Sequence, residues 1–556
     1  MLLYQNMKWQ ILKKLKKPKN QKFQNIEIVE TILENRNLKT NKEVESFLNP
    51  KKPEKIRIEE LGIRKKDLKK ITKRLQIAKE KKEKVVIFGD YDCDGVCATA
   101  ILWESMYKLG YDVMPYIPDR FTEGYGLKTS SFEMLNAKNL NAKLIICVDN
   151  GIVAYDAINK AKELGIDIIV VDHHAKGSQP LNAYGILHST KVCGSALSWF
   201  LVREISNKVE PSKQVLKRFD LDMLELCCIG TISDQMPLTN INRSIVKYGL
   251  EELNNTKRLG LKQIIKDSGI TKVGVYEVGF MIAPRINAMG RLSHAIEALR
   301  LICTRDSLKA LNLSKSLTET NTKRQKIVDE VVARVLEETS DKDKIMVVAG
   351  EYHEGVIGLA SGRLTEKYHK PSIVISINKE VSKASARSIE GFNIIEAIKE
   401  TNLILEGGGH TMAAGFSIST TKIEEFRKKI NELANIKLTE ELLEKKLKID
   451  LVLNFENITI DLVEELKKLE PYGYGNSQPI FMSEKVKILE VKTVGSDGKH
   501  LKLKLEQNGI KLDAIWFNTQ YKVQSTKYID VAYSIEEHTW NSKTSIQLKI
   551  KDIILH

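Results

Sequence analysis

The chain has 556 residues, of which 42% are hydrophobic and 29% charged, a composition typical of a globular protein too long for one core. Its formal net charge is +15, and residues 1–84 carry 25 Lys and Arg against 11 Asp and Glu. This basic region favours a polyanionic partner, although lysine-rich helices are often only solvated. No run of about 18 apolar residues occurs, so we expect no transmembrane helix and no membrane partner.

The cysteines and the N-terminus bear on the compartment. The chain has seven cysteines. They form no CxxC pair, and most lie in or beside apolar runs, where a free thiol acts as a small hydrophobe in a reducing environment. The N-terminal residues lack the charge order and cleavage site of a signal peptide. We therefore expect a cytoplasmic protein.

In chain order, hydrophobic periodicity predicts an α/β multidomain protein. From residue 85, short apolar runs alternate with amphipathic helices, which is typical of a parallel sheet with helices on both faces. A charged helical stretch ending near Glu338 indicates a connector, and alternating strands from Lys446 onward predict a small β-barrel or sandwich. The predicted regions are 1–84 (basic, helical), 85–265 (first α/β domain), 266–340 (connector with a long helix), 341–440 (second α/β domain) and 441–556 (β-barrel).

Acidic residues and histidines follow successive apolar runs of the first α/β domain. Three alternate carboxylates follow the run 85–88, and the runs 144–148, 166–171 and 224–232 (the last a strand or a buried helix) also end in Asp or His. The carboxyl ends of parallel strands share one edge of a sheet, so these side chains should converge. The converging residues are predicted to be Asp92, Asp94, Asp149, His173 and Asp234, with Asp90 and Asp172 orienting them.

The residue types indicate which ion they would bind. Carboxylates with one or two imidazoles and no thiolate favour Mn²⁺ or Mg²⁺ over zinc. Five or six ligands suit two ions about 3.5–4 Å apart, bridged by a shared carboxylate. Such a pair clamps a phosphoryl group and activates a water, so the predicted reaction is phosphoester hydrolysis.

Several short sequences, in this order, resemble the motifs of the DHH phosphoesterase superfamily. They are DYDCDG (90–95), VDNG (148–151), Asp172-His173-His174 and GTISD (230–234). Three more, HEGVIGLASGRL (353–364), SKASARS (382–388) and GGGHTMAAGF (407–416), resemble the DHH-associated C-terminal domain. LEPYGYGNSQPIF (469–481) resembles the start of the β module in the superfamily's single-strand-specific exonucleases. The resemblance implies a DHH parallel-sheet domain, a long connector helix, a DHH-associated α/β domain and a C-terminal OB-fold barrel.

The resemblance also implies residue roles. Asp92 and Asp149, with Asp90 as a contributor, would hold one ion, and Asp149 would bridge it to a second ion. The ligands of that second ion would be Asp94, Asp149, His173 and Asp234. His174 would face the scissile phosphate as an acid or electrostatic stabiliser. The implied substrate contacts are Arg120, Ser385 and Arg387 at a 5′-terminal phosphate, Arg285 and Arg291 on the strand, Gly408, Gly409 and His410 as a backbone-amide cradle, and His353.

Some of these residues have simpler interpretations. Arg285 and Arg291 could pair with acids of the connector such as Glu297. The GGGH sequence could be only a tight turn that opens a helix, although such turns also bind anions. One or two barrel aromatics could stack on bases, since few do so in each OB-fold. The candidates are Tyr472, Tyr474, Trp516, Phe517, Tyr533 and Trp540.

The leading hypothesis is a metal-dependent 5′→3′ exonuclease that degrades single-stranded DNA to 5′-mononucleotides in recombination and DNA repair. The resemblance suggests a single-stranded-DNA-binding protein and a helicase as partners. One alternative is a DHH phosphodiesterase for short oligoribonucleotides or cyclic dinucleotides, which the β module and basic region disfavour. Another is a non-catalytic replication scaffold, which the complete set of ligands disfavours.

Overall fold

The structure, a computed structural model, describes residues 7–13, 24–209, 213–338, 343–495, 498–519, 528–540 and 543–556. Contacts within the chain define two compact units. The first α/β unit consists of 45–324 and 471–477, and the barrel unit consists of 1–44, 325–470 and 478–556.

The segment before residue 85 is mostly helical and contains one short strand. Its elements are β1 (Lys8–Ile11), α1 (Asn25–Asn35), α2 (Asn41–Leu48) and α3 (Lys65–Glu80). The segment, predicted as one basic region, divides between the two units after Val44. In the barrel unit, the Trp9 indole nitrogen donates to Asp552 (2.8 Å). In the other unit, Arg74 of α3 donates to Asp167 (2.6 Å). The charge composition of the segment, on which its prediction as one region was based, does not reveal that Trp9 and Arg74 bind residues of different units.

The sheet of the first α/β unit contains the predicted apolar runs 85–88, 144–148 and 166–171 and two further strands. The elements are β2 (Val85–Phe88), α4 (Cys93–Lys108), β3 (Val113–Tyr116), α5 (Ser131–Ala137), β4 (Leu144–Val148), α6 (Tyr155–Glu163), β5 (Asp167–Asp172), β6 (Gly185–His188), α7 (Gly194–Val209), α8 (Lys213–Ser233), α9 (Asn240–Asn254) and α10 (Leu259–Asp267). The strand order is β3-β2-β4-β5-β6, and every pairing is parallel. The run 224–232 lies in α8, so the buried-helix alternative is correct.

Both faces of this sheet are buried, which explains its unbroken apolar runs. Val85 and Ile87 pack with residues of α4, α7 and α8, whereas Val86 and Phe88 pack with residues of α5 and α6. The alternation follows from the two-residue period of a strand. The carboxyl ends of all five strands therefore lie at one edge, held between two cores.

The connector is helical, with a break at Thr304–Asp306 as predicted. Its helices are α11 (Val275–Glu277), α12 (Ala283–Leu292), α13 (Ile296–Cys303) and α14 (Ser307–Glu338), with a π-helical turn at Val278–Ile282. Helix α14 has 32 residues. Among the described residues, no helix has both the length and the apolarity needed to cross a membrane.

A second α/β fold follows the connector, within the barrel unit. Its elements are β7 (Met346–Gly350), α15 (Ile357–Tyr368), β8 (Ser372–Ser376), β9 (Val381–Arg387), α16 (Ile394–Glu400), β10 (Ile404–His410), β11 (Ala413–Ser419), α17 (Ile423–Lys437) and α18 (Glu440–Leu443). The strand order is β10-β11-β9-β8-β7. The glycines at 407–409 lie within edge strand β10, paired with β11, so the expectation of a turn that opens a helix is wrong.

The C-terminal strands form a closed barrel. The elements are β12 (Lys446–Ile449), β13 (Leu451–Val452), α19 (Ile460–Lys467), β14 (Phe481–Val494), β15 (His500–Gln507), β16 (Ile510–Trp516), β17 (Tyr528–Trp540) and β18 (Lys543–Leu555). Strands β14-β15-β16-β18-β17 pair in that order, and β17 pairs back onto β14 to close the ring. Among the described strands of this ring, only β16 and β18 pair in parallel. A five-stranded barrel of this kind is the OB-fold architecture that was predicted.

The predicted barrel aromatics are in different surroundings. Tyr533 and Trp516 are core residues, whereas Phe517 is 43% exposed. Tyr472 and Tyr474 lie in the segment 471–477, which packs with the first α/β unit, and there the Tyr474 carbonyl accepts from the Leu238 amide (2.7 Å). The Trp540 side chain lies outside the described residues.

Candidate metal centre

The predicted ligands come together at the carboxyl edge of the first sheet. Three overlapping groups each have ligand atoms within 4.8 Å of one another. The groups are Asp90, Asp92 and Asp149; Asp94, His173 and Asp234; and Asp149, His173 and His174. Asp149 and His173 each belong to two groups. The shared residues make this edge one continuous site.

The N-termini of α4 and α7 fix Asp92 and Asp94. Asp92 caps the N-terminus of α4, where one carboxylate oxygen accepts from the Gly95 amide (2.9 Å). The Asp94 carboxylate, in the first turn of α4, accepts from the Gly194 (2.7 Å) and Ser195 (3.1 Å) amides at the start of α7. Backbone amides at a helix N-terminus stabilise a carboxylate. Two helix termini thus orient the two acids.

Asp149 and His173 lie between the acidic groups. Asp149 follows β4 with φ +62° and is buried. His173 Nε2 lies 3.0 Å from Asp149 Oδ1 and 3.7 Å from Asp234 Oδ2. Positive φ is uncommon outside glycine, though Asp and Asn tolerate it better than most residues. This turn directs the Asp149 carboxylate toward Asp90 and Asp92 as well as toward the two histidines.

The electrostatics of the site suit divalent cations. Burial, followed by the neighbouring carboxylates, raises the pKa of Asp90 and Asp149 well above the usual range and that of Asp234 to about 8. Asp90 Oδ1, Asp149 Oδ1 and His173 Nε2 are buried and have no hydrogen-bond partner among the described residues. Buried polar atoms are normally satisfied, so these atoms fit metal ligands. The chain therefore has acidic clusters able to hold metal ions.

His174 differs from its neighbour His173. Its Nδ1 lies 2.7 Å from Asp172 Oδ1, and the other oxygen of Asp172 accepts from the Ile152 amide (2.9 Å). Burial alone would lower the pKa of His174, but Asp172 outweighs it and raises the pKa to about 9. Burial lowers the pKa of His173, which favours the neutral imidazole that a metal ligand requires. The pKa values of the two histidines are thus shifted in opposite directions.

The three arginines predicted as substrate contacts in the first α/β unit, Arg120, Arg285 and Arg291, are in different surroundings. The Arg291 charge acts on Asp92 and Tyr91, and Arg120 lies over the Tyr91 ring, 5.2 Å from its centroid. Arg285 instead donates to the Met281 carbonyl (2.6 Å), and burial lowers its pKa. Arg291 and Arg120 therefore lie near the acids, whereas Arg285 turns toward its own helix.

The remaining predicted contacts lie in the barrel unit. Ser385 and Arg387 share one face of β9, and Arg387 Nη1 lies 3.4 Å from Ser385 Oγ. A Cβ added at Gly358, in the first turn of α15, would lie 3.0 Å from Ser385 Oγ, so this glycine lets the helix approach the pair. His353 Nδ1 accepts from the Gly355 amide (3.0 Å) just before that helix. Gly408, Gly409 and His410 lie on the exposed edge strand β10.

Sequence reasoning missed several residues beside the metal ligands. His188 makes a hydrogen bond from Nε2 to the His174 carbonyl (2.7 Å). The Tyr125 hydroxyl lies 3.3 Å from the Asp149 carbonyl and 3.5 Å from His174 Nε2. The alternating glycines of GYG (124–126), directly after an acidic turn, were the available signal for Tyr125. His188 ends β6, whose short GILH sequence gives no clear strand pattern.

Comparison with known proteins agrees with this architecture. Family models match in chain order: the DHH family N-terminal domain at residues 84–231, the DHHA1 domain at 325–435 and the RecJ OB domain at 449–552. The fold and the acidic site therefore define a multidomain DHH protein, which confirms the predicted superfamily and fold class.

Curated relatives identify the family within this superfamily. The chain is 35% identical to the single-stranded-DNA-specific exonuclease RecJ of Bacillus subtilis over 88% of its own length, and it spans 63% of that relative. It is 30% identical to the exonuclease RecJ of Haemophilus influenzae, with 85% of this chain and 88% of the relative aligned. The chain belongs to the RecJ family.

Solved structures of RecJ proteins are also similar to this chain. The crystal structure of RecJ in complex with Mn²⁺ from Thermus thermophilus matches with a TM-score of 0.83 and 25% identity, over 99% of this chain and 80% of that one. A crystal structure of exonuclease RecJ bound to manganese matches with a TM-score of 0.59 and 30% identity, over 68% of this chain and 97% of that one. Both of these solved proteins contain manganese, one of the two metals predicted here.

The first prediction concerns Asp149. Asp149→Asn keeps a residue that tolerates positive φ but removes the charge shared by the acidic groups. We expect Mn²⁺ affinity, measured by isothermal titration calorimetry, to fall at least tenfold. The metal-free variant should not unfold at a lower temperature, because repulsion among the buried acids decreases. Asp156→Asn, at an exposed position of α6, is the control and should bind Mn²⁺ as the wild type does.

The second prediction concerns Gly194. A Cβ at this position would lie 2.6 Å from Asp149 Cβ and 2.7 Å from Asp149 Oδ1. Gly194→Ala should therefore displace Asp149, weaken Mn²⁺ binding and lower stability by about 1–3 kcal/mol in urea denaturation. A Cβ at Gly362 in α15 meets nothing within 4 Å, so Gly362→Ala should be neutral or slightly stabilising. Equal Mn²⁺ affinity in the two variants would contradict the close approach.

Proposed function

We propose that this chain is a metal-dependent 5′→3′ exonuclease that degrades single-stranded DNA to 5′-mononucleotides in recombination and DNA repair. The single observation that carries the proposal is the acidic edge of the first sheet, where Asp149 is shared between groups of ligand atoms. The RecJ OB domain and relatives named single-stranded-DNA-specific exonuclease support the choice of substrate.

The residues of the metal centre suit phosphodiester hydrolysis. Asp90, Asp92 and Asp149 would hold one ion, and Asp94, His173 and Asp234, with Asp149 as bridge, would hold the other. Bound Mn²⁺ or Mg²⁺ supplies Lewis acidity for the phosphoryl oxygens and makes water a better nucleophile at neutral pH.

The charged His174 would stabilise the negative charge of the phosphoryl group. Asp172 holds Nδ1, so the Nε2 side of the imidazole is directed away from that carboxylate. Arg291 and Arg120 add positive charge near the acids, which suits contacts to further phosphates of the strand. Phosphate contacts of this kind are independent of sequence, as a general exonuclease requires.

Ser385 and Arg387 would bind the terminal 5′-phosphate. They share one face of β9 beside the first turn of α15, and helix N-termini favour anions. Arg387 is the better candidate for the charge contact because a guanidinium matches phosphate geometry with two donors. Arg120, His353 and the exposed edge of β10, with Gly408, Gly409 and His410, are proposed as further contacts to the DNA.

The proposal extends to the cellular context. A single-stranded-DNA-binding protein and a helicase are suitable partners because one covers and the other generates the substrate. A cytoplasmic location is supported by the seven cysteines, all of them free thiols.

The test of the proposed function is a digestion time course on end-labelled single-stranded DNA with either terminus blocked. We expect release of 5′-mononucleotides in Mn²⁺ or Mg²⁺ only, inhibition by a 5′ block, and no inhibition by a 3′ block. Asp149→Asn should be inactive and Asp156→Asn active. Cleavage that survives a chelator, or that proceeds from the 3′ end, would contradict the proposal. Faster hydrolysis of dinucleotides than of long strands would favour the short-substrate phosphodiesterase.

Arg387→Ala tests the end-binding site. Loss of the guanidinium should reduce kcat/KM at least tenfold on 5′-phosphorylated DNA and less than threefold on 5′-hydroxyl DNA. Lys383→Ala is the matched control, since Lys383 lies on the same face of β9 and pairs with Glu406 (3.1 Å). Equal losses on both substrates would remove Arg387 from the 5′-phosphate site.

A further inference from the structure

The loop between β3 and α5 is fixed by its own hydrogen bonds. The Asp119 carboxylate accepts from the Phe121 and Thr122 amides (3.0 and 2.9 Å), and the Asp119 amide donates to Glu123 Oε1 (2.9 Å). The second oxygen of Glu123 accepts from the Tyr116 hydroxyl (2.6 Å) at the end of β3. The loop is therefore attached to the sheet just before Tyr125.

Two glycines direct Tyr125 into the metal centre. Gly124 has φ +79° and Gly126 has φ +70°, conformations that residues with a Cβ adopt only with strain. Between them, the Tyr125 ring lies edge-on to Tyr91, with 6.2 Å between centroids, and edge-on to His174 at 6.0 Å. Tyr125 is 44% exposed, so burial of its ring does not explain this arrangement.

The hydroxyl of Tyr125 can act as a link between Asp149 and His174. The Asp149 carbonyl can only accept, so the hydroxyl donates to it (3.3 Å), and the phenol oxygen faces His174 Nε2 (3.5 Å). His174 Nδ1 faces the Asp172 carboxylate and therefore carries a hydrogen. Both ring nitrogens of His174 then have a fixed partner. The two contacts of the hydroxyl are long, as is common at catalytic sites before substrate binds.

We propose that Tyr125 is a positioning residue of the nuclease reaction, whose hydroxyl holds the His174 imidazole before substrate binds and gives up its long contact with Nε2 when the scissile phosphate arrives. The inference rests on the proposed function. It gives Tyr125, in the GYG sequence, the role of positioning His174, which was assigned to none of the residues predicted from the sequence. Asp172 alone fixes one nitrogen of the ring, which leaves rotation about that contact. The Tyr125 hydroxyl removes this freedom, and effective positioning of a catalytic group accounts for large rate factors.

Tyr125→Phe tests the proposal because it removes only the hydroxyl. We expect kcat on 5′-phosphorylated single-stranded DNA to fall about tenfold or more, while KM and Mn²⁺ affinity change less than twofold. Tyr155→Phe is the matched control, since the Tyr155 hydroxyl donates to the Gln179 carbonyl (3.1 Å) and makes no described contact with the ligands. It should keep full activity.

A double-mutant cycle separates positioning from a general structural effect. In a His174→Gln background, Tyr125→Phe should cause no further loss, because the hydroxyl acts through the imidazole. Additive losses, or wild-type kcat in Tyr125→Phe, would overturn the inference while leaving the proposed function intact. An inactive wild type would instead overturn the proposed function.

A second readout does not need activity. Carbethoxylation by diethyl pyrocarbonate needs the neutral imidazole, so the reaction is run near pH 9 on the metal-free protein, and mass spectrometry of His174 then reports access to Nε2. The rate should rise severalfold in Tyr125→Phe and stay at the wild-type value in Tyr155→Phe. An unchanged rate in Tyr125→Phe would show that the hydroxyl does not hold the imidazole.

Discussion

Electrostatic repulsion among the carboxylates at one buried sheet edge is the constraint on which this structure depends. Two unit charges 4 Å apart interact by about 4 kcal/mol at an effective dielectric constant of 20. The pKa values of Asp90 and Asp149 are raised well above their usual range by burial and by this repulsion. Without cations these acids retain protons or destabilise the fold. Metal binding and stability are therefore linked, and the two cores that enclose the sheet must offset the remaining cost.

Backbone amides bind some of these acids and leave carboxylate oxygens of others without an amide partner. Amides at the starts of α4 and α7 bind Asp92 and Asp94, and three amides of the β4 and β5 turns bind Asp172. Asp90 Oδ1 and Asp149 Oδ1 have no such partner among the described residues. Hydrogen bonds fix the orientation of the carboxylates that the amides bind. The carboxylate oxygens without an amide partner can still bind a cation, so the same sheet edge provides both fixed side chains and metal ligands.

Much of this centre could be predicted because its signals are local. A buried parallel strand reads as an apolar run, and the residue after it must lie at the carboxyl edge, so Asp92, Asp94, Asp149 and His173 were accessible from sequence. Tyr125 was not, because its position depends on two positive φ angles and on a loop attached through Glu123. The GGGH sequence was misread for a related reason. Glycines commonly mark turns, but at Gly407 an added Cβ would lie 2.7 Å from Phe416 Cβ, so close strand packing also calls for them.

Adjacent histidines show how neighbours, rather than residue type, set chemical roles. The rings of His173 and His174 lie 4.5 Å apart between centroids, yet burial lowers the pKa of His173 whereas Asp172 raises that of His174. A neutral imidazole can donate a lone pair to a metal, and a charged one attracts phosphate. If both were neutral, the site would lose a positive charge at the phosphate, and if both were charged, it would lose a ligand. Asp172, buried at the end of β5 and held by backbone amides, raises the pKa of His174, so a residue that need not touch metal or substrate sets the chemical role of that histidine.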